Sequence, residues 1–157
     1  MTSLIIHAVL GILVVAFTIR SNPQIFRKAN PAVSGLEALF WVIGLASIPL
    51  CWYFNYRYIV EYGAAQTSPF TGPGSWMEFI QLGYANPAAG SASADYTIGN
   101  VLLLPLFTII DGRRRGIRRP WLYFVASLFT SFAFAWAFYL ATVERQRRFE
   151  PNQSNTG

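Results

Sequence analysis

The feature that most constrains this chain is a short arginine-rich segment that separates two long uncharged segments. Residues 111–120 read Asp-Gly-Arg-Arg-Arg-Gly-Ile-Arg-Arg-Pro and hold five of the twelve basic residues. No charged residue occurs in 96–110 before this segment or in 121–143 after it. Two uncharged segments joined by a basic loop are typical of a membrane helical hairpin whose turn faces the cytoplasm and its anionic lipid.

The scarcity of charged residues also favours a membrane protein. The chain is 54% hydrophobic and only 12% charged, whereas a soluble domain carries about 25% charged residues. In a soluble protein, the net charge of +5 would favour a nucleic-acid partner. Here the arginines cluster at the ends of apolar segments, so we expect anionic lipid headgroups as their partners and no nucleic acid.

Four apolar segments predict an all-α integral membrane protein with about four transmembrane helices, in a single domain over residues 1–150. The expected helices cover residues 3–19, 36–60, 95–110 and 121–143. In the long loop, Ser75-Trp76-Met77-Glu78 has capping-box spacing and predicts a short interfacial helix over 76–82. The alternative is an apolar loop packed over the helix ends. Residues 151–157 are expected to form a disordered polar tail.

The distribution of basic residues predicts an orientation. The loops after the first and third segments hold eight of them, and the opposite side holds four. The positive-inside rule therefore favours both loops in the cytoplasm and both termini outside, with five loop arginines at the headgroups: Arg113, Arg114, Arg115, Arg118 and Arg119. The basic C-terminal segment conflicts with this placement, because it would move to the cytoplasm if the first or third segment did not span. We expect a bacterial inner membrane, with a thylakoid membrane as the alternative.

The polar residues inside or beside the apolar segments are the first candidates for function, because charges in hydrocarbon are costly. Asp111 stands beside three arginines and is interpreted as their local counter-ion. Glu37 is placed to neutralise an arginine of either basic loop. Asp95 is expected to cap the third helix, and Asn100 is the strongly polar residue well inside it.

His7 is the sharpest isolated candidate for a bound cofactor, as a ligand of a haem iron or a chlorophyll magnesium. No second histidine, cysteine or carboxylate lies near it in the sequence, so a hydrogen bond to a neighbouring helix is the favoured interpretation and no cofactor or metal is expected. Cys51, the single cysteine, is interpreted as a small buried hydrophobic residue. No hydrolase, phosphate-loop, dinucleotide or metalloprotease motif occurs, so we expect no enzymatic activity.

The last apolar segment carries small residues at helical spacing. Ser127, Ser131 and Ala135 recur every four residues, a pattern that lets membrane helices approach closely. We favour packing within this chain, and a partner subunit or a flat apolar cofactor is the alternative.

Several short motifs point to a known family. They are Phe79-Ile80, Ala85-Asn86, Asp95 at the opening of a helix, the segment Asp111–Arg119, Trp121-Leu122, Tyr139-Leu140 and Arg145. Through them, about the last 70 residues resemble a family of small bacterial membrane proteins, the domain-of-unknown-function family twenty-eight thirty-four. Its members carry Trp in place of Pro120 and Pro-Leu-Phe in place of Ala137-Phe138-Tyr139. The resemblance implies a multi-spanning membrane protein and brings no activity or site residues.

These features favour a non-enzymatic accessory or assembly subunit of a larger membrane complex. One alternative is a small oligomeric transporter or channel, in which Pro49 and Pro105 interrupt helices near the midplane. The other is a pigment- or quinone-binding protein that uses His7 and the aromatic face of the last segment.

Overall fold

A computed structural model of the chain describes residues 2–26 and 32–148. Within these ranges every regular element is helical, which agrees with the predicted all-α class. The helices are α1 (Thr2–Ser21), α2 (Gly35–Tyr62), α3 (Trp76–Leu82), α4 (Pro87–Thr97), α5 (Leu104–Arg114), α6 (Leu122–Phe129) and α7 (Phe132–Arg147). A 3₁₀ turn, Gly63–Ala65, extends α2, and a π-helical segment, Ile98–Leu103, joins α4 to α5. The predicted polar tail, together with Arg27 and Lys28, lies outside the described residues.

Three helices in the described part of the chain are long and apolar enough to cross a membrane. They cover Leu4–Ser21, Gly35–Ala65 and Pro87–Arg114. The first agrees with the predicted segment to within two residues at each end, the usual uncertainty of helix ends. The second begins one residue before the predicted segment and ends five residues after it. The third, which we call the α4–α5 helix, begins eight residues before the predicted boundary.

The early start of the α4–α5 helix corrects the expected role of Asp95. The helix is capped by Asn86, whose side chain accepts a hydrogen bond from the Ala89 N–H at 3.0 Å. Pro87 then occupies the first helical position, where its missing N–H costs nothing. The alanines that follow are the best helix formers, so the segment is helical despite Gly90. Asp95 therefore lies in the body of α4 and caps nothing.

The two prolines inside long helices, Pro49 and Pro105, have different effects on the local helix geometry. α2 continues through Pro49 without a break in its helical assignment. The π-helical segment, by contrast, ends immediately before Pro105, which lies at the start of α5. Because proline cannot donate to the carbonyl one turn back, a wider turn just before it is physically reasonable.

The fourth predicted helix, over residues 121–143, is wrong as a single element. Thr130 has φ −119° and ψ −95°, outside the helical region, and ends α6. Ser131 is extended, and its hydroxyl accepts a hydrogen bond from the Phe134 N–H at 3.0 Å, which starts α7. The chain reverses here, as is shown by the hydrogen bond at 3.0 Å from Tyr123, near the start of α6, to Thr142, near the end of α7. α6 and α7 thus form an antiparallel hairpin, and residues 130–131 are its turn.

The α6–α7 hairpin is the centre of the fold. α7 packs antiparallel to α2, where a Cβ on Gly44 would stand 3.1 Å from the Ala137 Cβ. α6 packs antiparallel to α1, where a Cβ on Gly11 would stand 3.0 Å from the Thr130 methyl carbon. On the other side, Phe107 of α5 contacts the Trp136 and Tyr139 rings. The hairpin therefore has a long helix on each of three sides.

The hairpin brings most of the positive charge to one end of the bundle. This basic end contains the end of α1, the start of α2, the α5–α6 loop and the end of α7. Gln146 of α7 donates to the Arg115 carbonyl at 2.6 Å, which joins the C-terminal segment to the loop. Of the ten described basic residues, nine lie at this end, and only Arg57 lies at the other. The C-terminal segment and the α5–α6 loop therefore lie at the same end of the bundle, whereas a continuous helix over 121–143 would have placed them at opposite ends.

The contact between α5 and the α5–α6 loop leads to a testable prediction. A Cβ at Gly112 would stand 2.6 Å from the Pro120 Cβ, which is too close for any side chain. We expect Gly112→Ala to lower the free energy of unfolding by about 1–3 kcal/mol through overpacking. Gly35→Ala is the control, because nothing lies within 4 Å of its Cβ. Denaturant unfolding in detergent would measure both, and equal stability of the two variants would contradict the prediction.

Candidate functional site

The most buried charged group in the described chain is Glu37, in the first turn of α2, with only 2% of its surface exposed. Arg145 donates to its Oε1 at 3.0 Å, and Arg148 binds its Oε2. The Trp41 indole N–H also points to Oε1, at 3.4 Å. Glu37 thus connects the start of α2 to the end of α7. Both of its described ion-pair partners belong to the C-terminal segment rather than to the α5–α6 loop, whereas Arg27 and Lys28 of the first loop lie outside the described residues.

Asp111 is the second engaged carboxylate of the basic end. Its Oδ2 accepts hydrogen bonds from Arg115 Nε and from the Tyr139 hydroxyl, both at 2.6 Å. The predicted counter-ion role is therefore confirmed for Arg115. The bond to Tyr139 attaches α5 to α7, a contact that the sequence did not reveal.

The arginine-rich loop is held in place by Asn22, a buried residue just after α1. Its side-chain oxygen accepts from the Arg118 N–H at 2.7 Å, and its amide donates back to the Arg118 carbonyl at 3.0 Å. Arg119 has φ +56°, a left-handed conformation that is uncommon for arginine. Its guanidinium lies 4.7 Å from the centroid of the Phe17 ring on α1. The loop is therefore ordered by contacts with α1.

The turn of the α6–α7 hairpin is rich in polar contacts. The hydroxyls of Ser47 and Ser131 are hydrogen-bonded at 2.7 Å, and the Trp52 indole N–H donates to the Thr130 carbonyl at 3.1 Å. The His7 ring lies 5.8 Å from that of Phe129. The Ser47–Ser131 and Trp52–Thr130 hydrogen bonds satisfy backbone and hydroxyl groups that the interruption of the helix would otherwise leave unpaired.

Asn100, in the π-helical segment, is 3% exposed, and only one of its two polar side-chain atoms is hydrogen-bonded among the described residues. Its amide N–H donates to the Tyr96 hydroxyl at 2.9 Å, whereas its Oδ1 has no hydrogen-bond partner among the described residues. It is therefore a buried polar group with one unused acceptor.

The exposed face of α4 differs from the other long helical surfaces. Ala88, Ser91, Ala92 and Asp95 are spaced three and four residues apart, so they share one face, and all four are exposed. Asp95 makes no ion pair within 4 Å among the described residues. In contrast, the exposed residues of α1 are mostly large and apolar. We call these four residues the α4 face.

The remaining candidate residues fall into two groups. Ser127, Ser131 and Ala135 are buried in the α6–α7 hairpin, with exposures of 5%, 6% and 0%. The side chains of Arg113, Arg114, Arg118 and Arg119 are exposed at the basic end. Cys51 is exposed, which corrects its expected burial. Within the described ranges, no three His, Cys, Asp or Glu side chains converge as metal ligands.

Sequence reasoning missed the partners of these residues rather than the residues themselves. Asn22 was not singled out, and Tyr139 was named only within a family motif, because a lone Asn after a helix and a Tyr among aromatic residues give no local signal of a partner. The available signal for Glu37 was the acidic residue at the start of one apolar segment and the arginines at the end of another. This signal becomes useful only once it is known that α6 and α7 form a hairpin, because the hairpin brings these arginines to Glu37.

Comparison with known proteins identifies a family. Residues 39–145 match DUF2834, a family described as a protein of unknown function. The match covers most of the chain and begins well before Phe79, so it extends further towards the N-terminus than the resemblance found from the motifs. No curated protein and no solved structure matches the chain. The matched region contains the α4–α5 helix and the α6–α7 hairpin, and the chain belongs to the DUF2834 family of proteins of unknown function.

Proposed function

We propose that this protein is a non-enzymatic integral membrane protein that crosses the bilayer three times and acts as an accessory subunit of a membrane complex. α1, α2 and the α4–α5 helix are the three spans. The α6–α7 hairpin enters from the basic end and returns to it. The positive-inside rule then places the basic end in the cytoplasm, most naturally at a bacterial inner membrane.

The dimensions of α2 support this placement. Glu37 at the basic end and Arg57 at the other are 20 residues apart, about 30 Å along a helix, which equals the thickness of the hydrocarbon core. The aromatic residues from Trp52 to Tyr58 lie at the second boundary, where such rings are enriched. Ser47, which bonds the hairpin turn, is about 15 Å from Glu37, so the turn lies near mid-depth.

The observation that carries the accessory role is the α4 face. Asp95 is about 24 Å along the helix from Asp111, so it lies within the apolar layer or at its border. An exposed carboxylate on a face of small residues is unfavourable against lipid, whereas a partner helix can approach it closely and donate a hydrogen bond. Ser127, Ser131 and Ala135 do not offer this surface, because they are buried inside the chain.

The internal pairing of the hairpin turn supports an assembly role over a transporter. A transport site needs polar groups that remain available to a substrate. At the turn, the Ser47 and Ser131 hydroxyls bond each other and the Thr130 carbonyl is bonded by Trp52. The α4 face, which is unpartnered among the described residues, is the better candidate for an external contact.

The test is co-migration on a native gel after extraction in a mild detergent. We expect the tagged protein to migrate with a membrane partner, which mass spectrometry would identify. Ala92→Leu and Asp95→Asn should each reduce the recovered partner by about threefold to thirtyfold, because interhelical contacts contribute about 0.6–2 kcal/mol. Ala46→Leu is the matched control, since Ala46 is likewise an exposed alanine but belongs to α2.

Two outcomes would contradict this proposal. Migration of the wild-type protein alone would exclude a stable complex in that membrane. Equal recovery of the partner with Ala92→Leu and Ala46→Leu would show that the α4 face is not the contact.

A further inference from the structure

A surface groove runs between the α4–α5 helix and α7. It has a volume of about 460 Å³, and its apolar walls are formed by Leu103, Leu106, Phe107, Ile110 and Trp136. At the end nearest the basic end it is lined by Asp111 and Arg114. The groove is thus apolar along its length and charged at one end.

The groove has the length of one bilayer leaflet. Leu103 and Arg114 are 11 residues apart, which corresponds to about 16 Å along the helix. Half of a hydrocarbon core of about 30 Å is about 15 Å. In the proposed orientation, the groove therefore extends from the cytoplasmic headgroups to the middle of the membrane.

The charged end of the groove favours an anion. The Asp111 carboxylate is already bonded by Arg115 and by the Tyr139 hydroxyl. Arg114 is exposed and makes no ion pair within 4 Å among the described residues, and Arg113 beside it is likewise exposed and unpaired. The net charge at this rim is therefore positive, and a phosphate oxygen is the group that a guanidinium binds best.

We propose that this groove binds one anionic phospholipid, with its phosphate on Arg114 and an acyl chain along Leu106 and Trp136. The proposal rests on the proposed membrane placement but not on the α4 face. The charge at the rim selects a lipid with net negative charge over a zwitterionic one. The apolar walls distinguish a lipid from a free phosphate ion, which would gain nothing from them.

Native mass spectrometry of the full chain in a neutral detergent tests the proposal. The probes are phosphatidylglycerol and phosphatidylcholine with identical acyl chains, added in equal amounts. We expect the wild type to retain phosphatidylglycerol about fivefold more than phosphatidylcholine, the factor expected for one arginine near an anionic surface. Arg114→Gln should abolish this preference, whereas Arg118→Gln, at the same end but outside the groove, should preserve it. Leu106→Trp, which fills the groove, should lower retention of both lipids.

Quenching of Trp136 fluorescence, measured as the difference between the wild type and Trp136→Phe, is a second readout. Phosphatidylglycerol brominated on its acyl chains should quench the wild type more than the brominated phosphatidylcholine does. This difference should disappear in Trp136→Phe. Equal loss of preference in Arg114→Gln and Arg118→Gln, or displacement of the lipid by glycerol phosphate alone, would overturn the proposal. The partner contact is tested separately on the native gel, so the two failures are distinguishable.

Discussion

Replacement of Glu37 by Gln should lower the free energy of unfolding by about 3 kcal/mol. The change removes the Glu37 carboxylate from Arg145 and Arg148, whose side chains are 13% and 17% exposed. Breaking a buried pair on one side typically costs about 3–5 kcal/mol. We expect the lower end of this range, because Arg145 also donates to the Ile25 and Ala32 carbonyls at 3.1 and 2.9 Å. Denaturant unfolding in detergent would measure the loss.

Glu61→Gln is the control for this experiment. Glu61 pairs with Arg57 on the same helix, but both side chains are about half exposed. Exposed pairs of this kind contribute little to stability, because solvent screens them, so this variant should remain close to the wild type. If the two variants lost the same stability, Glu37 would not join α2 to α7 in the way described here.

If α6 and α7 form a hairpin, cysteine labelling should place the end of α7 on the same side of the membrane as the α5–α6 loop. In a Cys51→Ala background, single cysteines at positions 113 and 147 should react with a membrane-impermeant maleimide from the same side. A cysteine at position 71, in the loop after α2, should react from the opposite side. Arg147 and Arg113 are exposed at the basic end, whereas Thr71 is exposed at the other.

If residues 121–143 instead formed a continuous fourth span, position 147 would give the opposite result. The cysteine at 147 would then react together with the one at 71. Intact and inverted vesicles label the two sides separately, so a continuous fourth helix and a returning hairpin are distinguished by this single position.

The sequence was sufficient for those parts of the fold that depend on local signals. Apolar length located α1 and α2, and the spacing of Ser75 and Glu78 predicted α3 over 76–82, where Ser75 accepts from the Glu78 N–H at 3.3 Å. The hairpin carried no comparable signal. Thr130 and Ser131 are common inside membrane helices, and only contacts with Gly11, Ser47 and Trp52 make an interruption favourable there.

The sequence identified the candidate residues but not the residues with which they interact. Uncompensated charge in an apolar chain identified Glu37, Asp95 and Asp111. Assigning partners required the order of the helices in space, and the wrong order followed from counting residues 121–143 as a span. The basic C-terminal segment conflicted with that count from the beginning, and the antiparallel packing of α6 and α7 accounts for the conflict.

The α6–α7 hairpin also has a consequence for membrane insertion. In the proposed orientation, α7 returns to the side from which α6 entered, so the insertion machinery need not translocate Arg145, Arg147 and Arg148, each of which costs about 2.5–3.5 kcal/mol at the centre of a membrane. With eight residues, α6 is too short to be recognised as a span. Ser131 finds its partner Ser47 84 positions earlier in the chain. In the proposed orientation, the hairpin can therefore dock only after α1 and α2 have been inserted and lie close enough together to contact it.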